Sequence, residues 1–174
     1  MTKPNFLFPF TLGLSDGIIT TLMLISNSII HESYIGPNLA LRVAFGSAFV
    51  GGFSYFIADY TRLRSEISRT SKQLVLRSPS YLIRSKIGHD ILIESVVGTA
   101  LSVGSGFLGS MVPLSFSIIL PTYGLISITV AIGALSIMGL GIAKSVRGSY
   151  IFWLMTMIAL GVIVTYIGYN LKLV

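Results

Sequence analysis

The sequence predicts an all-α integral membrane protein with five transmembrane helices, its N-terminus cytoplasmic and its C-terminus outside. Three observations predict it. Only 10% of the 174 residues are charged, against roughly 25% in soluble domains, and mean hydropathy is +0.85. Five apolar runs each reach the length of about 20 residues that a helix needs to cross hydrocarbon. The basic residues, finally, gather on one side of those runs. The runs are continuous rather than alternating, which excludes a membrane β-barrel. Soluble enzymes and nucleic-acid binders are excluded by the same composition, despite a net charge of +6. The chain has no cysteine, so disulfides and thiolate chemistry are absent, and His31 and His89 are its only histidines. No resident cofactor, nucleic-acid partner or enzymatic activity is expected, and no catalytic Ser–His or paired-acid arrangement is seen.

The first span runs from about Phe10 to Ile30 and the second from about Leu39 to Tyr60, separated by the turn Gly36-Pro37-Asn38. The third runs from about Ile91 to Val112 and the fourth from about Tyr123 to Ala143, with Leu120-Pro121-Thr122 as the break between them. A polar turn from Lys144 to Ser149 leads to the fifth, from about Tyr150 to Leu171. Residues 1–174 thus read as a single transmembrane domain, in which 61–90 form a basic cytosolic connection between spans two and three. Leu63, Ile67, Leu74 and Leu76 would line one face of a helix continuing span two, and Ser80 would cap a second short helix. Glycines and serines recur along span three, at Gly98, Ser102, Gly104, Ser105, Gly106 and Gly109, which predicts close helix packing there or across a dimer axis.

Orientation follows from the cations. With the N-terminus cytoplasmic, the inside receives Lys3, Arg62, Arg64, Arg69, Lys72, Arg77, Arg84, Lys86, Lys144 and Arg147, and the outside only Arg42 and Lys172. Ten against two is a strong positive-inside bias. The same arginines would touch anionic lipid headgroups. The expected location is multi-pass, in the plasma membrane or an organelle membrane.

The six acids are scarcer and more informative: Asp16, Glu32, Asp59, Glu66, Asp90 and Glu94. A charge at the centre of a membrane helix costs about 2.5–3.5 kcal/mol on insertion scales, so each acid inside a span is a functional candidate. Asp16 lies six residues into span one, roughly 9 Å deep at 1.5 Å per residue. Ser54 and Tyr55 fall at a comparable depth on span two. Asp59 is placed about a turn nearer the cytosol, where Arg62 could pair with it, and Glu94 lies just inside span three. Asp90 could cap that span. Carboxylates and hydroxyls, including Ser15, Thr20, Thr21 and Ser54, are the ligands that hard divalent cations take. Asp16, Asp59, Glu94, Ser54 and Tyr55 are the candidate metal-path residues.

Several stretches resemble a known family. Span one reads Gly13-Leu14-Ser15-Asp16-Gly17-Ile18-Ile19-Thr20-Thr21-Leu22. This resembles the first helix of the vacuolar iron transporter family, where Ser-Asp-Gly is followed by an apolar pair and a Thr/Ser-Thr. Ser54-Tyr55-Phe56-Ile57-Ala58-Asp59-Tyr60 is similar to the family's Ser-Met-Ala-Ala-Gly-Glu-Tyr. Gly109-Ser110-Met111-Val112-Pro113-Leu114 is similar to its Gly-Ala-Leu-Ile-Pro-Leu, and Thr165-Tyr166-Ile167-Gly168 to its Thr-Tyr-x-x-Gly. The resemblance implies a homodimeric transporter carrying ferrous iron, or manganese, out of the cytosol in exchange for protons. It places Asp16, and Asp59 as an acid-for-acid replacement, on the cation path. Two features depart from the family. Tyr55 stands at the position of its second-helix methionine, and the glutamate-rich cytosolic domain is replaced by the short basic segment 61–90. Those departures leave a second expectation open, a non-transporting scaffold or complex subunit that binds a partner through the basic segment.

Because the chain lacks cysteine, its orientation is directly testable. A Ser80→Cys variant in sealed, right-side-out vesicles should resist a membrane-impermeant maleimide until the membrane is opened. Labelling of the sealed vesicles would reverse the orientation.

Overall fold

The computed structural model describes residues 6–30, 35–73, 86–119, 124–146 and 148–170. They form five helices: α1 (Leu7–Ile30), α2 (Pro37–Gln73), α3 (Lys86–Ile119), α4 (Gly124–Val146) and α5 (Tyr150–Asn170). No strand occurs among the described residues. All five helices are long and apolar enough to cross a membrane, so the protein is a multi-pass membrane protein. The expected number and order of spans are therefore observed. Leu74, Leu76 and the short helix expected after Ser80 lie outside the described residues.

The boundaries differ from the hydropathy reading in one consistent direction: helices outlast their apolar runs. At 1.5 Å per residue, the 37 residues of α2 make a rod about 55 Å long, against hydrocarbon about 30 Å thick. Its last turns carry Arg62, Arg64 and Arg69, with Leu63 and Ile67 half-buried beneath them. Hydropathy detects the membrane boundary, but a helix needs no apolar side chains to continue past it. α3 likewise starts at Lys86, so Asp90 sits within the helix rather than at its cap. At its other end α3 runs on to Ile119 through Pro113. Proline removes one helical N–H, but its helix persists where tertiary packing holds it. Pro113 is fully buried, and Leu114 packs with Ile25, Ile35, Ala40 and Ala44.

The bundle is organised around α1, which touches each of the other four helices. α3 lies parallel to α1 and antiparallel to α2, and α4 and α5 pack on the far side of α1 without reaching α2. The core of α1, α4 and α5 is ordinary apolar packing, with Ile18, Leu22, Ala131, Leu135 and Met138 buried together. The α1–α3 contact is different. A Cβ at residue 13 would overlap the Ser102 carbonyl, and one at residue 17 would overlap the Gly106 carbonyl. Gly109 returns the contact, its missing Cβ lying 2.6 Å from the Leu14 carbonyl oxygen. The Gly-x-x-x-Gly of α1 therefore brings two backbones together, which is how helices associate when lipid removes the hydrophobic drive between them. The outer surface is correspondingly apolar, with Phe45, Phe49 and Phe53 on α2 and Ile151, Phe152 and Met155 on α5 all exposed.

Ser110 fastens the third helix to this pair. Its Oγ donates to the carbonyl of Gly17 at 3.2 Å or of Gly106 at 2.9 Å, and lies 3.2 Å from the Ser47 hydroxyl of α2. Gly17→Ala should destabilise the protein by about 1–3 kcal/mol, the usual cost of overpacking, read as a loss of thermal stability in detergent. Gly133→Ala should not, since a Cβ there meets nothing within 4 Å.

Candidate functional site

α1 places Asp16 nine residues from its first residue, Leu7, about 13 Å along the axis, deeper than the span boundary in the sequence suggests. Gly13 and Gly17 turn the neighbouring face of α1 onto α3. Asp16, on the next face round, meets α2 where that helix carries Gly51. Oδ2 of Asp16 lies 3.1 Å from where a Cβ of residue 51 would stand. The residue level with Asp16 is thus Gly51, about one turn from the Ser54 that depth counting selects. Any larger side chain at position 51 would crowd the carboxylate.

A groove of about 520 Å³ opens at this point between α1 and α2, lined by Asp16, Ile19 and Thr20 on one side and by Val43, Gly46, Ser47, Val50, Gly51 and Ser54 on the other. The α2 residues recur at three- and four-residue spacing, which is one face of a helix. The walls are mostly aliphatic, and the polar groups are one carboxylate and three hydroxyls. Asp16 is half-buried, and among the described residues its carboxylate accepts no hydrogen bond and joins no ion pair. Thr20 donates its proton to the Asp16 carbonyl at 2.8 Å, which leaves its oxygen lone pairs available. Ser47 shares its hydrogen bond with Ser110. Thr20 and Ser47 give their protons to protein acceptors, so with the Asp16 carboxylate they turn acceptor oxygens to the groove, while the Ser54 hydroxyl can donate or accept. Such a set of oxygens suits a cation.

The other expected residues lie elsewhere. Tyr55 and Asp59 sit roughly 100° or more round α2 from the groove face, turned toward α3. Tyr55 is buried, its hydroxyl 2.6 Å from where a Cβ of Gly98 would be, and its ring meets Phe8 at 6.1 Å. Asp59 accepts from Nη2 of Arg62 at 2.8 Å and from the Ser95 hydroxyl at 3.1 Å, so both carboxylate oxygens are engaged. Its side chain is 4% exposed and that of Arg62 60%. Glu94, next to Ser95, points outward and is exposed. The five candidates are thus divided: Asp16 and Ser54 share the groove, Tyr55 and Asp59 share the α2–α3 seam, and Glu94 stands apart. Among the described residues no three acidic or histidine side chains gather into one group. Ser15 and Thr21 also leave the groove, Ser15 bonding back to Leu12 and Thr21 to Gly17.

Sequence reasoning missed Ser47, Gly51 and Ser95. Ser47 stands four residues from Gly51 and seven from Ser54 along the groove face, a spacing visible in the sequence once the face is known. Compared with known protein families, with curated proteins and with solved structures, the chain matches none.

Arg62→Ala removes the charged partner of a buried carboxylate, and should cost about 1–3 kcal/mol. Asp59→Asn should partly offset that loss in the double variant, because it removes the orphaned charge. Additive effects in a thermal-stability cycle would show that the pair is not coupled.

Proposed function

We propose that the protein is a homodimeric divalent-cation transporter that moves Fe²⁺ or Mn²⁺ out of the cytosol, with protons as the exchanged ion. The observation that carries this reading is the state of Asp16. An acid within a membrane helix is costly, and the usual structural compensation is a hydrogen bond or ion pair. Asp59 has both, and Asp16 has neither among the described residues. It faces a groove lined by hydroxyl oxygens instead, which is the arrangement expected of a group whose partner is a transient cation.

The groove opens sideways, toward what would be lipid around a single chain. A second copy seated over it would bring two Asp16 carboxylates and two sets of hydroxyls to one passage, matching the double charge of the cargo. A carboxylate that holds a cation cannot hold a proton as well, so cation release and proton uptake become alternatives at one atom. The concentration of basic residues in the segments on one side of the spans supports a cytoplasmic N-terminus and an outward C-terminus. Glu94, exposed near that cytoplasmic end, would attract cations toward the entrance, while Asp59 and Tyr55 hold α2 against α3. The resemblance of α1 to vacuolar iron transporters supports the same function through Ser15-Asp16-Gly17.

One observation favours the scaffold alternative: α2 continues beyond its apolar run as a basic rod carrying Arg62, Arg64 and Arg69, a surface suited to an acidic partner or lipid headgroups. Transport decides between them. Proteoliposomes holding the wild-type protein should accumulate Mn²⁺ under a proton gradient, and Asp16→Asn should abolish that uptake while leaving the detergent elution profile unchanged. Undiminished uptake by the variant would sink the transporter reading.

A further inference from the structure

The size of the groove and the spacing of its oxygens bear on how a cation would be held. We infer that the Asp16 groove takes a hard divalent cation together with its bound water, recognising the hydrated ion rather than a stripped one; this rests on the transport reading above. Direct ligands must all approach one ion at about 2.0–2.6 Å. Ser47 and Ser54 stand seven residues apart on α2, about 10 Å along its axis, with Asp16 at the level of Gly51 between them. Two hydroxyls so far apart cannot both reach one bare ion. They can both reach its water, since a group hydrogen-bonded to a first-shell water lies about 4–5 Å from the metal, or about 9–10 Å from a similar group opposite.

Volume agrees with spacing. Six waters at about 30 Å³ each fill about 180 Å³, which the groove of about 520 Å³ accommodates with room for access. The donor set agrees as well. It contains one carboxylate and three hydroxyls with no sulfur or imidazole, whereas softer metals prefer sulfur and nitrogen. Mg²⁺ keeps several waters and is held through one or two carboxylates, and hydrated Mn²⁺ presents a similar octahedral shell. Gly46 and Gly51 supply the space: a Cβ at 46 meets nothing within 4 Å, and one at 51 would press on Asp16.

Cobalt(III) hexammine tests this directly, because its six ammonia ligands do not exchange and it resembles a hexahydrated Mg²⁺ in size and shape. In proteoliposomes, both hexammine and Mg²⁺ should inhibit Mn²⁺ uptake, with Zn²⁺ no more potent than Mg²⁺. Gly46→Leu, which the open space should allow to fold, and Ser47→Ala/Ser54→Ala should each weaken hexammine inhibition by roughly tenfold or more. If Mn²⁺ uptake depends on Asp16 yet is indifferent to hexammine, the ion enters stripped and the inference falls while the transport reading stands. If no cation uptake or hexammine binding depends on Asp16, both fall together.

Discussion

The structure depends on the contact between the backbones of α1 and α3 at Gly13, Gly17, Gly106 and Gly109. Within lipid there is little to gain from burying leucine against leucine, because the solvent is equally apolar. Helices are held by close approach and by polar groups that have nowhere else to go. At Gly13 and Gly17 the approach is so close that a single methyl would meet a carbonyl, so α1 has little freedom to roll on α3. The direction of every other α1 side chain follows. Ile18, Leu22 and Ile25 are buried, and Asp16 is committed to the side where α2 passes.

α2 then carries two polar systems on two of its faces, and their contrast is energetic. On the α3 side, Asp59 is buried and compensated by a guanidinium and a hydroxyl, which makes it an anchor. On the α1 side, Asp16 faces a groove and has no hydrogen-bond or ion-pair partner among the described residues. Arg62 lies three residues from Asp59 on the same helix, so the ion pair neutralises the charge without crossing the seam, and the Ser95 bond is the one that crosses it. An anchor of this kind near one end, with Ser47–Ser110 further along, holds α2 to α3 while its groove face stays open to α1.

The five helices are readable from hydropathy because each contains a membrane-length apolar run, and Asp16 is readable because it is a lone acid within one. Depth is off by about a turn, at Gly51 against Ser54, and direction is the larger limit of that reading. Counting residues from a span boundary places Ser54 and Tyr55 together, yet adjacent residues on a helix are separated by about 100°. One lines the groove and the other is buried on Gly98. Only the position of α3 decides which face is which, and the glycines that set it announce close packing in the sequence without saying that α1 is the partner. Ser47 and Gly51 escaped notice for the same reason. The continuation of α2 beyond Tyr60 is legible in the spacing of Leu63 and Ile67, whereas the polar turn of α3 before Ile91 carries no hydropathy signal, and Pro113 looks like a stop that tertiary packing overrides.

The same geometry bears on how a groove could admit a cation from either end. α1 is locked to α3 by backbone contact and packed on its other side by α4 and α5. α2 touches α1 and α3 alone. Toward one end its polar hold on α3 is a salt-bridged carboxylate and one serine bond. At the level of the groove the polar link is the hydroxyl pair between Ser47 and Ser110, set among the packing of Phe45 on Phe107 and of Ala48 against Gly106. A cation at Asp16 would shift the balance at this level first, because Ser47 both lines the groove and bonds Ser110, and Ser110 in turn bonds the α1 carbonyl of Gly17. Occupancy of the groove and the fastening of α2 to its neighbours therefore share one hydroxyl. A transporter needs such a link if the arrival of its cargo is to change which end of the path is open.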